Sequence, residues 1–249
     1  DVYKRQIAGS LVYEAKQPRP LLSGTVVSNL LQLSDLGPVI GADSNESKKE
    51  RGVAANQPAN KVLPVEKFTT ERWGSIDADV KITGHKIVHS ASLPIENLDT
   101  HLKLEDSVVT LSPLKFGVAG GNLIGDIKLD GRNNVIKAQA KISARHLKLK
   151  QLFPTFQPMQ ASFGEVNGDT SLSGTGNSIA SLLATSNGEI KSLINEGTIS
   201  KLLLEQIGLN IGNIVISKLF GDKQVQLNCM ATDLSVTNGL VQTLSLIHI

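Results

Sequence analysis

The chain has 249 residues, with 25 Lys and Arg against 23 Asp and Glu, for a net charge of +2. That balance is too even to set up a strong field for nucleic acid or an acidic membrane. An aromatic content of 4% is too low for a stacking platform on single strands, and 40% hydrophobic with 19% charged residues excludes both a disordered tail and a bundle of membrane helices.

In chain order, residues 42–61 are polar and Gly/Pro-punctuated, which predicts an exposed, flexible loop. Ala78, Val80 and Ile82 then alternate with Asp77, Asp79, Lys81 and Thr83. Ile127 and Leu129 alternate with Asp126, Lys128 and Asp130, and Ile136, Ala138, Ala140 and Ile142 alternate with Lys137, Gln139 and Lys141. Strict period two predicts strands with one apolar and one wet face. Asp130-Gly131, Asn187-Gly188 and Asn238-Gly239 are turn signals, because the central residues of a type I′ turn need positive φ. Residues 178–186 predict a short helix capped by Asn177 or Ser178. Residues 201–220 carry an apolar stripe at helical spacing, divided by Gly208 and Gly212. Near the end, Val225, Leu227 and Cys229 share one parity and Leu234 and Val236 the other, which predicts a bulge near 230–233. Residues 31–38 and 147–154 share the form LxLxxLxP, a weak internal repeat.

Cys229 is the single cysteine, so neither an internal disulfide framework nor a cysteine-built zinc site is possible. The five His residues lack the HExxH spacing of a zincin. No run reaches the ~18 apolar residues of a membrane span. The best candidate, 209–220, is interrupted by Gly212, Asn213 and Lys218. The polar start, which has no Met at position 1, reads as the interior of a longer protein. Residues 1–6 and 244–249 read as non-native ends around one β domain over 7–243.

Few motifs rise above ordinary structure. Asp77 and Asp79 could serve as paired carboxylates, but at i and i+2 of a strand they belong to its wet face. Gly117, Gly120 and Gly121 sit between strand-like runs, which reads as a tight turn rather than a phosphate loop. Gly174 to Ser178 lead into a short helix without a Walker lysine, and read as an ordinary helix start. No Ser/His/Asp set stands out, and Ser90 beside His89 reads as an exposed residue. Cys229 reads as a small core hydrophobe. From Gly131 to Gly164 there is no acidic residue, while Arg132, Lys137, Lys141, Arg145, Lys148 and Lys150 fall in that span. The simpler reading is a solvated strand face. The sharper one is contact with an anionic surface through Lys137, Lys141, Lys148 and Lys150.

Several ordered motifs together resemble one family. They are Gln32-Leu33-Ser34-Asp35-Leu36-Gly37-Pro38 with Ile40-Gly41, and Trp73 with Asp77 to Val80 and Leu93-Pro94-Ile95. Leu111-Ser112-Pro113-Leu114 with Phe116 to Gly121, and Ser171 to Ser178, continue the series, which ends with Gly197 to Ser200, Leu219 to Asp222 and Asn228-Cys229. In this order they resemble the C-terminal part of an AsmA-family protein of Gram-negative bacteria. The resemblance implies a mainly periplasmic protein held in the inner membrane by an N-terminal helix that this chain lacks. It also implies a likeness to bridge-like lipid transfer proteins, whose strands form a groove with an apolar lining. Outer-membrane biogenesis and phospholipid movement are the implied roles, with no catalytic residues and no cofactor.

The expectation is therefore a mainly β (α+β) chain. Repeated antiparallel strands would form a curved, groove-like sheet, with a few helices in the C-terminal third. The expected lining is Ala78, Val80, Ile82, Ile127, Leu129, Ile136, Ala138, Ala140 and Ile142. The expected partner is phospholipid or another membrane lipid, with room for an envelope protein and none for nucleic acid. A scaffold with a closed core is the alternative, and a periplasmic glycan hydrolase is a more remote one. Clustered buried carboxylates with raised pKa would mark the hydrolase.

Overall fold

The computed structural model describes residues 7–32, 63, 65–68, 70, 73–88, 95–152, 163–200 and 224–248. The strands are β1 (Ile7–Glu14), β2 (Leu21–Gln32), β3 (Asp77–Val88), β4 (Ile95–Glu105), β5 (Val108–Val118) and β6 (Gly121–Asp130). They continue as β7 (Ile136–Lys148), β8 (Phe163–Gly176), β9 (Asn187–Ser200), β10 (Gln224–Thr237) and β11 (Leu240–His248). Two short helices, α1 (Leu149–Leu152) and α2 (Ile179–Ala184), follow β7 and β8. All eleven strands form one open, curved sheet in chain order, β1 to β11. The mainly β architecture is as expected. Neighbours are antiparallel except β2 and β3, which run parallel. No hairpin can join a parallel pair, so the chain between Gln32 and Asp77 is a crossover connection.

The hairpins are set by local chemistry. Ala119 and Gly120 (φ 51° and 72°) turn β5 into β6, so the glycine-rich motif is a tight turn. Asn238 and Gly239 (φ 50° and 75°) join β10 to β11 as predicted, and Asp106 and Ser107 (φ 48° and 61°) join β4 to β5. Two other signals work differently. Gly131 has no positive φ and opens a longer loop. A Cβ there would lie 2.7 Å from the Trp73 ring, so glycine is needed to let Trp73 pack. Asn187-Gly188 begins β9 instead of making a hairpin turn, following α2 in place of a strand. Ser178 is the cap of α2, in a reciprocal capping box with Ser181.

Most apolar residues of the central strands share one side of the sheet, although several strands change parity partway, and Val12, Val27 and Ile124 are exposed on the other side. β5 shows how. Val109 and Leu111 are odd, whereas Leu114, Phe116 and Val118 are even, and the register shifts by one between Leu111 and Leu114. The shift falls at Ser112 and Pro113. Proline has no N–H for a ladder bond, so a bulge is where a central strand accommodates it. β7 does the same between Ala144 and Leu147, with His146 at φ 57°. Near the end of the chain, the β10–β11 ladder shifts between Asp233 and Leu234. The extra residue there is on β11, because β10 pairs with β9 in continuous register. The buried positions of β10 are accordingly Met230 and Val236, and Cys229 is half-buried on the opposite parity.

Two apolar clusters close the sheet's face at its opposite strand-end rims. At one rim Phe68, Trp73 and Ile136 are buried together, with Leu104, Val109, Leu129, Ile179 and Leu182 packed against them. Asn177 ties this rim: its Oδ1 accepts from the Ile136 N–H (3.1 Å), its Nδ2 donates to the Asn134 carbonyl (2.8 Å), and its carbonyl accepts from the Phe68 N–H (2.8 Å). At the other rim Val118, Ala119 and Leu147 are buried against Phe116, Leu123, Ala144, Leu152 and Val166. The predicted loop at 42–61, the predicted helix at 201–220, Ser90 and most of the first LxLxxLxP copy lie outside the described residues. The second copy covers the end of β7 and α1.

Candidate functional site

All nine predicted lining residues lie on one face of the sheet, eight of them in three cross-strand rows and Ile136 beyond them at the start of β7. Val80 lies opposite Leu102, then Leu111, Ile127, Ala140 and Leu172 follow in successive strands. Ala78, Leu104, Val109, Leu129 and Ala138 form a second row. Ile82, Thr100, Leu114, Gly125, Ile142, Thr170, Ile190 and Leu234 form a third. Directly opposed side chains share a face, so each row is a band running across the strands. The sequence pattern missed the residues of β4, β5, β8, β9 and β10 that complete these rows.

The middle of this face is covered only in part. Ile82, Leu102, Leu111, Leu114, Ile127, Ala140, Ile142, Leu172 and Ile190 are all half-buried, and Val80 is buried. Ile136 differs from the other eight, because it is only 1% exposed beneath Phe68, Trp73 and α2. It belongs to the closed rim and not to the open strip. Gly125 occupies the third row because a Cβ there would overlap the Lys141 carbonyl of β7. Thr100, in the same row, is buried, and its Oγ1 has no hydrogen-bond partner.

The charged residues lie on the opposite face and at the rims. Lys137 stands opposite Asp130, and Lys141 opposite Asp126, so both are exposed within a mixed-charge ladder. Lys148 and Lys150 are elsewhere, at the β7–α1 corner. The basic stretch is thus divided into two pairs and makes no single patch. Asp77 accepts from Arg19 Nε (2.9 Å), and Asp79 accepts from His101 Nε2 (2.6 Å) with Lys103 at 3.7 Å. The His101 hydrogen bond holds the Asp79 carboxyl below the ordinary range. Asp130 is held lower still by Arg132, and Asp169 is lowered by Ser143 and Arg145. These shifts run opposite to the raised carboxyl that a general acid requires. Among the described residues no group of three or more His, Cys, Asp or Glu could hold a metal ion, and no helix is long and apolar enough to cross a membrane.

Comparison with known proteins follows the same lines. The family model described as "AsmA family" matches residues 1–246. The chain is 46% identical over 243 residues to the AsmA family protein YhjG of Escherichia coli (strain K12), covering 95% of this chain and 35% of that protein. It therefore spans about a third of the length of that curated relative. No solved structure matches. With the match running through nearly every strand, from β1 into β11, the chain belongs to the AsmA family.

Proposed function

We propose that the chain is part of a non-enzymatic periplasmic protein of outer-membrane biogenesis, and that its apolar strip holds or conducts phospholipid. The observation that carries this reading is the in-register strip, half-exposed along rows of up to eight strands. A sheet with one apolar and one charged face needs a cover for the apolar one. Acyl chains supply it at about 0.8 kcal/mol per buried CH₂, with no demand for polar groups on the lining. Membership of the AsmA family supports a role at the envelope. Inner-membrane anchoring by an N-terminal helix of the longer protein belongs to the same proposal, as does contact of Lys137, Lys141, Lys148 and Lys150 with anionic headgroups.

A second reading has its own support. The sealed rim around Ile136 is what a closed scaffold core looks like. Native mass spectrometry with lipid extraction, on the chain purified from bacteria, separates the two. Phospholipid should co-purify with the wild type and fall in Ile127→Asp, which should stay folded. Wild-type protein free of lipid would refute the conduit and leave the scaffold.

A further inference from the structure

We propose that the charged face of the sheet sets the strand register, by opposing unlike charges across the strand pairs whose connecting segments are too long to set it themselves.

The apolar face cannot choose a register alone. A slip of one residue turns that face outward, but a slip of two returns every side chain to its own side. Ile127 would then meet Ala138 or Ile142 of β7 in place of Ala140, and all three are apolar. A tight hairpin removes the choice, since its turn fixes which residues face each other. Residues 106–107, 119–120 and 238–239 form such turns. The other antiparallel pairs are joined by five residues or more.

The opposed charges follow that division. Between β6 and β7, Asp126 faces Lys141 and Asp130 faces Lys137. Across β8, β9 and β10, Asp169, Lys191 and Asp233 stand in one line of alternating sign. Asp79 faces Lys103 between β3 and β4, and Lys148 faces Glu165 between β7 and β8. All of these pairs have long connections. Among the tight hairpins, β5–β6 and β10–β11 oppose no unlike charges. β4–β5 sets Asp99 against Lys115, but beyond the register shift between Thr100 and Leu102, where the turn no longer governs the pairing. β1–β2 is the exception, with a connection of residues 15–20 and no opposed charges.

Slipped registers bring like charges together. In register, Lys128 of β6 faces Gln139, whereas either two-residue slip sets it against Lys137 or Lys141. A slip in one direction sets Asp169 against Glu189 between β8 and β9, and Lys81 against Lys103 between β3 and β4. Each contact is weak, but a slip moves a whole strand and changes all of its contacts at once. The charges along one line feel each other: the hydrogen bond from Glu189, with the added charge of Asp233, holds the Lys191 ammonium above the usual lysine range.

The test reads register by disulfide trapping in the full chain, with the single native cysteine removed as Cys229→Ala. Ile127→Cys and Ala140→Cys face each other in register, whereas Ile127→Cys meets Ala138→Cys or Ile142→Cys only after a two-residue slip. In a glutathione buffer the in-register pair should close most readily. Adding Lys137→Glu and Lys141→Glu should lower the ratio of in-register to slipped closure about tenfold, because both opposed pairs turn repulsive and Lys128 gains a partner in either slip. Adding Asp126→Lys, Lys128→Glu and Asp130→Lys as well reverses every sign, keeps the pattern, and should restore the ratio. A ratio that the first two substitutions leave unchanged, or that the further three fail to restore, overturns the proposal. Where Lys137→Glu/Lys141→Glu does not fold, the ratio with the native charges decides instead. It should fall about threefold from about 0.05 M to about 1 M salt, as screening weakens exposed pairs, and a flat ratio overturns the proposal.

Discussion

Replacing Ile136 and Ile127 by alanine, one at a time, contrasts a sealed rim with an open strip. The two residues are chemically identical and lie on the same face. Ile136 is 1% exposed and enclosed by Phe68, Trp73, Ile179 and Leu182, so truncation leaves a cavity that its neighbours fill poorly. The cost should sit in the upper part of the range of about 2–5 kcal/mol for such deletions. Ile127 is half-buried, so its truncation removes less contact and leaves no enclosed void. Its cost should be about 1 kcal/mol, from roughly half the usual transfer energy. At about 2–4 °C per kcal/mol for a chain of this size, Ile136→Ala should lower Tm by roughly 8–16 °C and Ile127→Ala by only about 2–4 °C. The chain's single tryptophan, Trp73, packs on Ile136 and gives a fluorescence signal for that rim. It should shift in Ile136→Ala and stay constant in Ile127→Ala. Equal losses of Tm in lipid-free protein would mean that Ile127 is as enclosed as Ile136, and the open strip would have to be abandoned.

Asn177→Ala removes the acceptor for the Ile136 N–H and the donor to the Asn134 carbonyl, and should cost about 1–3 kcal/mol in urea melts, with Asn177→Asp falling between. Thr100→Val replaces a buried hydroxyl that has no partner, and should raise Tm by about 2–4 °C. A fall would reveal a hydrogen bond to that hydroxyl. Asp79, Asp130 and Asp169 have folded-state pKa values below their unfolded ones, so the stability they contribute is complete above about pH 4 and is lost as pH falls through the lowered values. Tm measured from pH 7 to pH 2.5 should drop at the acid end, and Asp79→Asn with Asp169→Asn should flatten that drop. Gly131→Ala should push against the Trp73 ring and destabilise by about 1–3 kcal/mol, read as a change in tryptophan fluorescence.

The strip was legible in the sequence where alternation is clean. β3, β6 and β7 carry three, two and four apolar residues at strict period two, and register then brings most of them together. β5 hid its share because the bulge at Ser112 and Pro113 changes parity midway. β8 hid its share because Gly168, Thr170, Gly174 and Gly176 fill the inner parity with small or polar residues. Asn177 was visible as a helix-cap candidate. Its ties to Asn134 and Phe68 were not, because those partners are distant in sequence and only the folded rim brings them near.

The order of the strands carries a consequence for growth. From β3 to β11, each strand's neighbours in space are its neighbours in the chain. A hairpin gained or lost at a point in that series changes how far the apolar band runs, while the surviving strands keep their partners. Length then becomes a quantity set by counting hairpins, much as a zip fastener is set by its teeth. Both outer strands, β1 and β11, carry that band onward through exposed Leu11 and Val241, so further strands laid against either edge would meet a face already matched to theirs.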